Sequence, residues 1–386
     1  MAATAAERRI TDWLAEQQPA MLALLEEAVN TDSGSYDKAG VDRCGVVFER
    51  FFAGEGIATR REAQEVFGDA IHVLPVENGS NEPPILLMGH RDTVFPIGEA
   101  GRRPFRIADN RAYGPGVSDM KSGLVINAFV LAAFKRFGGA PRPVAGLITS
   151  DEEIGSPACR PVIERTARGA RAVFNSEPGR PSGNVVTARK GGVFMAMTIT
   201  GRPAHSGGNF EAGISAIGEL AHKILAIHAL TDLDRGITLN VGIVKGGEAV
   251  NMVAPSAEAA IDLRYKEPAD RGRIVRRIEE IVATSHVAGT TASLEIKGEF
   301  NPLNPTPGSD ALFRAYQAAA ADAGLEVEGE FSGGCADSGF TAAVGCPTVC
   351  AVGPVGGKAH TPEEYLEVAS LVPRAQALAL AIMRLE

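Results

Sequence analysis

Apolar runs and helical patterns alternate over about the first 190 residues of the chain. Residues 122–137 have a strongly apolar helical pattern, which Gly138, Gly139 and Pro141 bring to an end. Short apolar runs bounded by turn residues predict buried strands of a mostly parallel sheet at 84–90, 143–150 and 170–177. The resulting β–α–β order predicts a layered α/β domain.

The pattern changes after about residue 190, where runs alternate as in strands with one exposed face. These runs lie at 192–201, 237–247 and 257–265, with helical patterns at 212–230 and 270–285. A β-α-β-β-α-β order of this length is typical of the ferredoxin-like α+β fold. We therefore predict that a second, smaller domain is inserted into the first.

The last part of the chain returns to α/β character. Residues 300–310 form a Pro- and Gly-rich connector, in which Ser309 is the predicted N-cap of the next helix. An apolar run at 346–352 and a closing helix near 362–384 follow. The predicted domains are a catalytic domain in two parts, 1–190 and 304–386, and an inserted domain, 191–303.

The N-terminal 29 residues predict an amphipathic surface helix, with a break or kink at Pro19. They lack the basic and apolar regions of a signal peptide, and no stretch approaches 18 uninterrupted apolar residues. We therefore expect a cytoplasmic protein without a transmembrane helix. The formal net charge of -9 argues against binding to nucleic acid or to an anionic membrane.

The chain has five cysteines without a compact spacing pattern, which favours reduced cytosolic thiols over disulfides. Cys346 and Cys350 could suggest a metal site. Their apolar, strand-like surroundings favour buried core thiols instead.

Acidic residues and histidines gather at the ends of the predicted strands and in the loops that follow. The set comprises His90, Asp92, Asp119, Asp151, Glu152, Glu153, Glu177 and His360. Ligands and catalytic groups of open α/β sheets collect at this edge. Two histidines and four carboxylates there predict a nitrogen–oxygen site for zinc or a similar divalent ion. One further acid would remain to act as a base on water.

Each of these signals has a simpler structural interpretation when taken alone. A lone histidine at a strand end is usually structural, but Asp92 is placed to accept the second ring N–H of His90. Asp119 precedes a helix and by itself reads more readily as an N-cap. The three consecutive acids at 151–153 repel one another, a repulsion that cations offset.

Together, these residues fall in motifs that resemble one known family, the dinuclear zinc peptidases. That family includes carboxypeptidase G-type glutamate carboxypeptidases, acetylornithine deacetylase and aminoacylase. The matching motifs occur in order: H-x-D at 90–92, G-x-G-x-x-D-x-K-x-G at 114–123, paired acids at 151–156, Glu-Pro at 177–178, G-x-x-x-H-[SA]-G at 201–207, a glycine–asparagine element at 246–255 and D-x-R at 262–264. The resemblance covers nearly the whole chain.

The resemblance implies two Zn²⁺ ions per subunit, with Co²⁺ or Mn²⁺ as substitutes. Asp119 would bridge the two ions, with His90 and Glu177 on one, and Glu153 and His360 on the other. Glu152 would be the general base and later the acid, and Asp92 would support His90. The resemblance also implies a cis peptide bond between Asp119 and Met120.

The resemblance also implies roles for three residues of the inserted domain, which in this family acts as a lid and dimerises. His205 would reach the active site of the partner subunit and stabilise the oxyanion. Asn251 and Arg264 would contact a substrate carboxylate, for which the planar guanidinium is well suited. Without the resemblance, a surface role for Arg264 is favoured. The loop Gly333–Asp337 departs from the family pattern at Cys335-Ala336, which leaves the side-chain preference open.

We expect a two-zinc metallohydrolase that cleaves an amide bond next to a free carboxylate and releases an amino acid such as glutamate. An N-acyl amino acid deacylase is the closest alternative, because both reactions need the same metals, base and carboxylate contact. Hydrolysis of a non-peptide C–N bond and a non-catalytic binding protein remain as further alternatives. Glu152 and Asp119 are both present, which argues against the last of these.

Overall fold

The computed structural model describes residues 3–76 and 79–385. Its helices are α1 Ala5–Glu16, α2 Gln18–Val29, α3 Lys38–Gly54, α4 Glu99–Arg102, α5 Ser122–Phe137, α6 Arg160–Arg168, α7 Ala216–His228, α8 Pro268–Ala283, α9 Pro307–Asp322, α10 Ser338–Ala343 and α11 Leu371–Met383. Its strands are β1 Thr59–Glu62, β2 Ala70–Val76, β3 Ile85–His90, β4 Arg106–Ala108, β5 Arg111–Tyr113, β6 Val144–Thr149, β7 Ala172–Asn175, β8 Val185–Arg189, β9 Gly191–Thr200, β10 Thr238–Gly246, β11 Ser256–Tyr265, β12 Thr291–Phe300, β13 Gly329–Ser332, β14 Thr348–Cys350, β15 Gly356–Gly357 and β16 Tyr365–Glu367.

The chain forms two compact units. The first contains the residues up to Ala188, together with Leu303–Ser332 and the chain from Ala336 onward. The second contains Arg189–Pro302 and Gly333–Cys335. The second unit is therefore an insertion into the first.

The first unit contains an eight-stranded sheet in the order β1-β2-β6-β3-β7-β14-β8-β13. Its four central strands, from β6 to β14, are parallel, whereas β1, β2 and β8 pair antiparallel with their neighbours. All six residues of β3 and of β6 are buried, as the uninterrupted apolar runs predict. The parallel centre brings the ends of β3, β6 and β7 to one edge.

Helix α5 lies in the core of the first unit. Among the described residues, Val117–Phe137 is the one stretch with the length and hydropathy of a membrane-spanning helix, and 94% of its most apolar window is buried within the protein. Leu124, Ile126 and Phe134 are at most 2% exposed and belong to the main hydrophobic cluster. Such burial is typical of a core helix.

The second unit consists of four antiparallel strands and two helices. The strands have the order β10-β11-β9-β12, and α7 and α8 follow β9 and β11 in sequence. This is the strand order of a ferredoxin-like βαββαβ unit. The predicted fold class, α/β with an inserted ferredoxin-like α+β unit, is confirmed.

A second, smaller sheet of the first unit was not predicted. It has the order β15-β16-β5-β4 and pairs Tyr365 with Tyr113 and Leu366 with Ala112. Strands of two or three residues are too short to give a recognisable period. This sheet holds the segment after β15 close to the turn before α5.

Two local predictions near the C-terminus were wrong. The cap of α9 is Thr306, whose side chain accepts the N–H of Ser309, and the Ser309 hydroxyl accepts the N–H of Thr306. Ser309 is thus the third residue of the helix and not its cap. The closing helix begins at Leu371, because 362–370 contain a turn, β16 and the short 3-10 helix Val368–Ser370. The breaks at Pro19 and Gly138 were predicted correctly, and Cys346 and Cys350 are buried thiols.

Candidate metal centre

Three neighbouring strands present predicted site residues at one edge of the large sheet. His90 is the last residue of β3, Glu152 and Glu153 follow β6, and Glu177 follows β7. Because β3 is parallel to both β6 and β7, these side chains converge at the carboxyl end of the sheet.

Asp119 lies between two histidines, one for each of its carboxylate oxygens. His90 Nε2 is 3.3 Å from Asp119 Oδ1, and His360 Nε2 is 3.3 Å from Asp119 Oδ2. The peptide bond between Asp119 and Met120 is cis, as predicted. The carboxylate does not cap α5, so the N-cap interpretation was wrong.

Two groups of potential ligands therefore share Asp119. In the His90 cluster (His90, Asp119 and Glu177), Glu177 Oε1 is 3.8 Å from His90 Nε2. In the His360 cluster (His360, Asp119 and Glu153), Glu153 Oε2 is 3.0 Å from His360 Nε2. Each cluster offers one imidazole nitrogen and two carboxylate oxygens within 4.8 Å of one another. This donor set fits a zinc-type divalent cation.

Asp92 supports both sides of the site. Its Oδ1 is 3.3 Å from His90 Nδ1, and the same ring nitrogen is 3.0 Å from the Asp92 carbonyl oxygen. The carboxylate also accepts the N–H groups of Glu152 and Glu153, each at 3.2 Å. With Nδ1 occupied by these acceptors, His90 presents Nε2 to the cluster.

Glu364 holds the loop that carries Asp119, a role that the sequence did not predict. Its Oε1 accepts the N–H groups of Ser118 and Asp119, each at 2.9 Å, and its Oε2 accepts that of Gly116 at 3.0 Å. The side chain is fully buried. The two consecutive acids that follow His360-Thr-Pro mark this segment in the sequence as a candidate for a functional role. The N–H groups that Glu364 binds, however, lie about 245 residues earlier in the chain.

Asp337 joins the two ends of the loop that carries Glu152 and Glu153. It accepts hydrogen bonds from Thr149 Oγ1 at 3.0 Å and from the Ser156 hydroxyl. Asp151, the first acid of the consecutive three, turns away and accepts the N–H of Ala158 at 2.6 Å. Only the second and third acids of the run therefore face the site.

Close backbone packing places Glu177. A Cβ atom on Gly123, in the first turn of α5, would lie 1.9 Å from the carbonyl oxygen of Ser176. A Cβ atom on Gly353 would lie 2.6 Å from the carbonyl oxygen of Glu177 itself. Both positions therefore require glycine for the strand end to approach this closely.

Burial and crowding shift the pKa values of the acids. Burial raises the pKa of Glu152 well above its usual value, and the Glu177 carboxylate raises it further. Burial, with the nearby Asp119, raises the pKa of Glu153 to about 7. Burial also opposes the ionisation of Asp119, but hydrogen bonds from His360 and His90 outweigh it and lower its pKa. Buried acids at this density are typical of a cation site.

The remaining predicted residues lie in the second unit. His205 and Asn251 lie on adjacent segments. The N–H of Ser206 donates to the carbonyl oxygen of Asn251 at 2.9 Å, and His205 and Met252 form an isolated antiparallel β-bridge. Arg264 lies on β11, where its Nε donates to Asp262 Oδ1 at 2.8 Å. Its Nη1 is 2.8 Å from Cys335 Sγ.

A protein-family model described as peptidase family M20/M25/M40 matches residues 86–384. The chain belongs to this peptidase family. Carboxypeptidase G2 of Pseudomonas sp. (strain RS-16) is 28% identical to this chain over 377 residues, covering 96% of this chain and 90% of that protein. Succinyl-diaminopimelate desuccinylase of Cereibacter sphaeroides (strain ATCC 17025 / ATH 2.4.3) is 30% identical over 378 residues, covering 91% of this chain and 90% of that protein.

The fold of the M20/M25/M40 chain also matches solved structures. An M20 family metallo-carboxypeptidase from Sulfolobus solfataricus matches with a TM-score of 0.76 at 18% identity, covering 94% of this chain and 99% of that chain. Membership of the M20/M25/M40 family makes this protein a metallohydrolase of amide bonds. The two clusters that share Asp119 are its candidate ligands for divalent metal.

Proposed function

We propose that the protein is a two-zinc amidohydrolase that cleaves an amide bond next to a free carboxylate and releases an amino acid such as glutamate. The observation that carries the proposal is the position of Asp119 between two histidines, at 3.3 Å from each. His90 and Glu177 would hold one ion, Glu153 and His360 the other, and Asp119 both. Co²⁺ or Mn²⁺ could replace zinc at these ligands.

The bound ions would lower the pKa of water and polarise the scissile carbonyl. Glu152 is the proposed proton carrier, since its Oε2 lies 3.9 Å from His90 Nε2 and its pKa is raised by burial. It would take a proton from the attacking water and deliver it to the departing nitrogen. Asp92 and Asp337 would hold the loop that carries Glu152 in position.

Arg264 and Asn251 are the proposed contacts of the substrate carboxylate. Asp262 and Cys335 orient the guanidinium group of Arg264, and its centre lies 5.1 Å from the Phe194 ring centroid. A guanidinium held in this way has a fixed plane, which suits recognition of a carboxylate.

His205 is the proposed donor to the oxyanion, supplied by the partner subunit of a homodimer that forms through the second unit. Its Nδ1 accepts the N–H groups of Gly207 and Gly208 at 3.1 and 3.0 Å. The neutral ring must then carry its proton on Nε2. That proton points away from the loop and is suited to donate to a developing negative charge.

An N-acyl amino acid deacylase is the second candidate, favoured by the 30% identity to the relative named as a desuccinylase. Both candidates predict chelator-sensitive hydrolysis by the zinc-supplemented protein. The panel should contain N-acyl-glutamate, N-acyl-aspartate, N-acyl-alanine, N-acetylornithine and an aroyl-glutamate. Release of glutamate would establish the reaction class and, with the aroyl-glutamate preferred, support the first candidate. Preference for another amide would keep the mechanism and favour the second. No turnover of any compound by metal-loaded protein would contradict both.

The role of Glu152 is testable by the Glu152→Gln variant. We expect kcat to fall by about 10²–10⁴-fold, because only the proton carrier is lost. Zinc content and thermal unfolding should remain those of the unsubstituted protein. Unchanged turnover would contradict the mechanism.

We also propose a cytoplasmic location and a homodimer. The small substrate with its free carboxylate would be the main partner, without nucleic acid or membrane. Sedimentation of the purified protein tests the dimer directly, and a single monomeric species would contradict it and the role of His205.

A further inference from the structure

An open pocket of about 640 Å³ lies beside Glu153 in the first unit. Two short segments, 34–37 and 93–97, form its walls, and Glu153 and Ile154 form its end. Pockets that bind small molecules usually measure about 300–1,000 Å³. The pocket therefore has room for a substrate group that extends from the metal centre.

Hydrogen bonds fix the two walls to each other. Thr93 N–H donates to the carbonyl oxygen of Ser33 at 2.9 Å, and Ser35 N–H donates to that of Thr93 at 3.1 Å. The Asp32 carboxylate accepts the N–H of Gly98 at 2.8 Å, which holds the far end of the second segment. The pocket is thus preformed, so binding would cost little ordering of these loops.

The same wall is joined to the metal centre. Ser35 Oγ is buried and donates to Asp92 Oδ2 at 2.6 Å. This is the carboxylate that lies against His90 and accepts the N–H of Glu153. A substrate whose amide is held at the two clusters would therefore have its neighbouring atoms next to this pocket.

Apolar surface predominates in the lining, and none of the described residues that form it is a lysine, an arginine or a histidine. Tyr36 is 83% exposed, Ile97 72% and Val94 43%, so apolar surface is available for contact. The two acids of the lining are compensated, because Arg43 Nη2 lies 3.7 Å from Asp37 Oδ2 and Glu153 is a proposed metal ligand. A second carboxylate on the acyl group would lose hydration against this surface without a cationic partner from the lining, whereas an apolar group would gain from burial.

We propose that this acyl pocket, formed by 34–37 and 93–97 beside Glu153, binds the acyl half of the substrate and selects neutral, bulky apolar or aromatic acyl groups. The inference rests on the proposed amide hydrolysis. It extends that proposal by naming the substrate class: amino acids acylated with medium-length aliphatic or aromatic acids, and not with dicarboxylic acids.

A series of N-acyl-L-glutamates tests the pocket. From acetyl to hexanoyl, kcat/KM should rise by about fourfold for each added methylene, and it should level off when the pocket is filled. The N-succinyl compound should be at least about tenfold poorer than the N-pentanoyl compound of similar size. A flat series, or preference for the succinyl group, would overturn the proposal.

Substitution of Ile97 tests the lining itself. Because Ile97 is largely exposed, Ile97→Asp should fold normally. It should lower kcat/KM for the hexanoyl compound far more than for the acetyl compound, so that the ratio between the two falls toward one. Ile97→Lys should raise kcat/KM for the succinyl compound. The matched control is Leu233→Asp, a 75% exposed leucine of the second unit, which should change neither. Equal effects of Ile97→Asp and the control would overturn the proposal.

A binding measurement separates this inference from the proposed function. Calorimetry on zinc-loaded Glu152→Gln protein measures the affinities for N-hexanoyl- and N-acetyl-glutamate without turnover. Tighter binding of the hexanoyl compound that Ile97→Asp abolishes would support the pocket, even if the unsubstituted enzyme hydrolyses neither. Equal affinities would overturn the pocket, even if the enzyme hydrolyses both.

Discussion

The two ligand clusters are built in different ways. In the His90 cluster, the histidine is the last residue of a central strand. Its side chain is 1% exposed and lies against the Asp92 carboxylate. In the His360 cluster, the histidine side chain is 53% exposed and lies in a loop, with a positive backbone φ of 65°. Asp119 belongs to both.

This difference indicates that one half of the site is fixed by the sheet and the other by a loop. A buried, hydrogen-bonded histidine loses little freedom when it binds a metal, whereas an exposed loop histidine loses more. We therefore expect the His90 cluster to hold its ion more tightly. The His360 cluster, open to solvent, would be the side that exchanges metal.

The largest expected effect comes from the shared ligand. Asp119→Asn removes the one negative charge that both clusters use, so both should lose metal and kcat should fall by about 10³-fold or more. Metal analysis by mass spectrometry and a hydrolysis assay check this. Asp109→Asn, an exposed acid of the same unit, is the control and should retain full metal content. Loss of a single ion would show that Asp119 serves one cluster alone.

Removing each histidine separately tests the asymmetry. His360→Ala should leave one bound ion and change the free energy of unfolding of the metal-free protein by no more than about 0.5 kcal/mol, because the side chain is half exposed. His90→Ala should lower that free energy by about 1–3 kcal/mol, since it leaves buried partners unsatisfied. Urea unfolding with metal analysis measures both. Equal destabilisation by the two variants would refute the comparison.

Glu364 tests whether loop support matters as much as the ligands. Glu364→Gln replaces one acceptor by an NH₂ group that faces a backbone N–H, so the turn carrying Asp119 should loosen. Zinc affinity should fall by about 10–100-fold at both clusters. Glu363→Gln, at the exposed neighbouring position, is the matched control. Affinities like those of the unsubstituted protein would show that the turn is rigid without Glu364.

The smallest expected effect is that of a change of one pH unit. Hydrogen bonds to Asp119 and Glu153 raise the pKa of His360 to about 10 in the metal-free protein, so zinc must displace a proton there. Zinc affinity of the His360 cluster should therefore rise with pH below about 10, by up to about tenfold per unit for each proton displaced. Competition with a chelator of known affinity at pH 6, 7 and 8 measures the slope. A slope of zero would contradict the assigned protonation.

Elements with a strong local pattern were predictable from the sequence. Helix α5 has the predicted bounds, because sixteen mostly apolar residues end at a glycine with left-handed backbone conformation. The strands that carry His90 and precede Glu177 were found in the same way. Position at strand ends and in the following loops grouped Asp119 with His90 and His360, and the resemblance to a family assigned Asp119 the role of shared ligand.

Residues that act through distant backbone groups were not predictable. Glu364 binds N–H groups that any residues at 116–119 would offer, so no pattern marks the pair. Asp337 likewise joins hydroxyls that lie 188 and 181 positions earlier. The cap of α9 was misplaced by three residues, because serine and threonine at either position could cap a helix.

Residues near the C-terminus complete the candidate metal centre, and this order has a consequence for synthesis on the ribosome. His360 and Glu364 complete the surroundings of Asp119, and β14 inserts between β7 and β8 in the large sheet. A nascent chain would therefore carry most of its polar site residues before it could close the site. Hydrolytic competence would therefore appear only after this last segment has emerged.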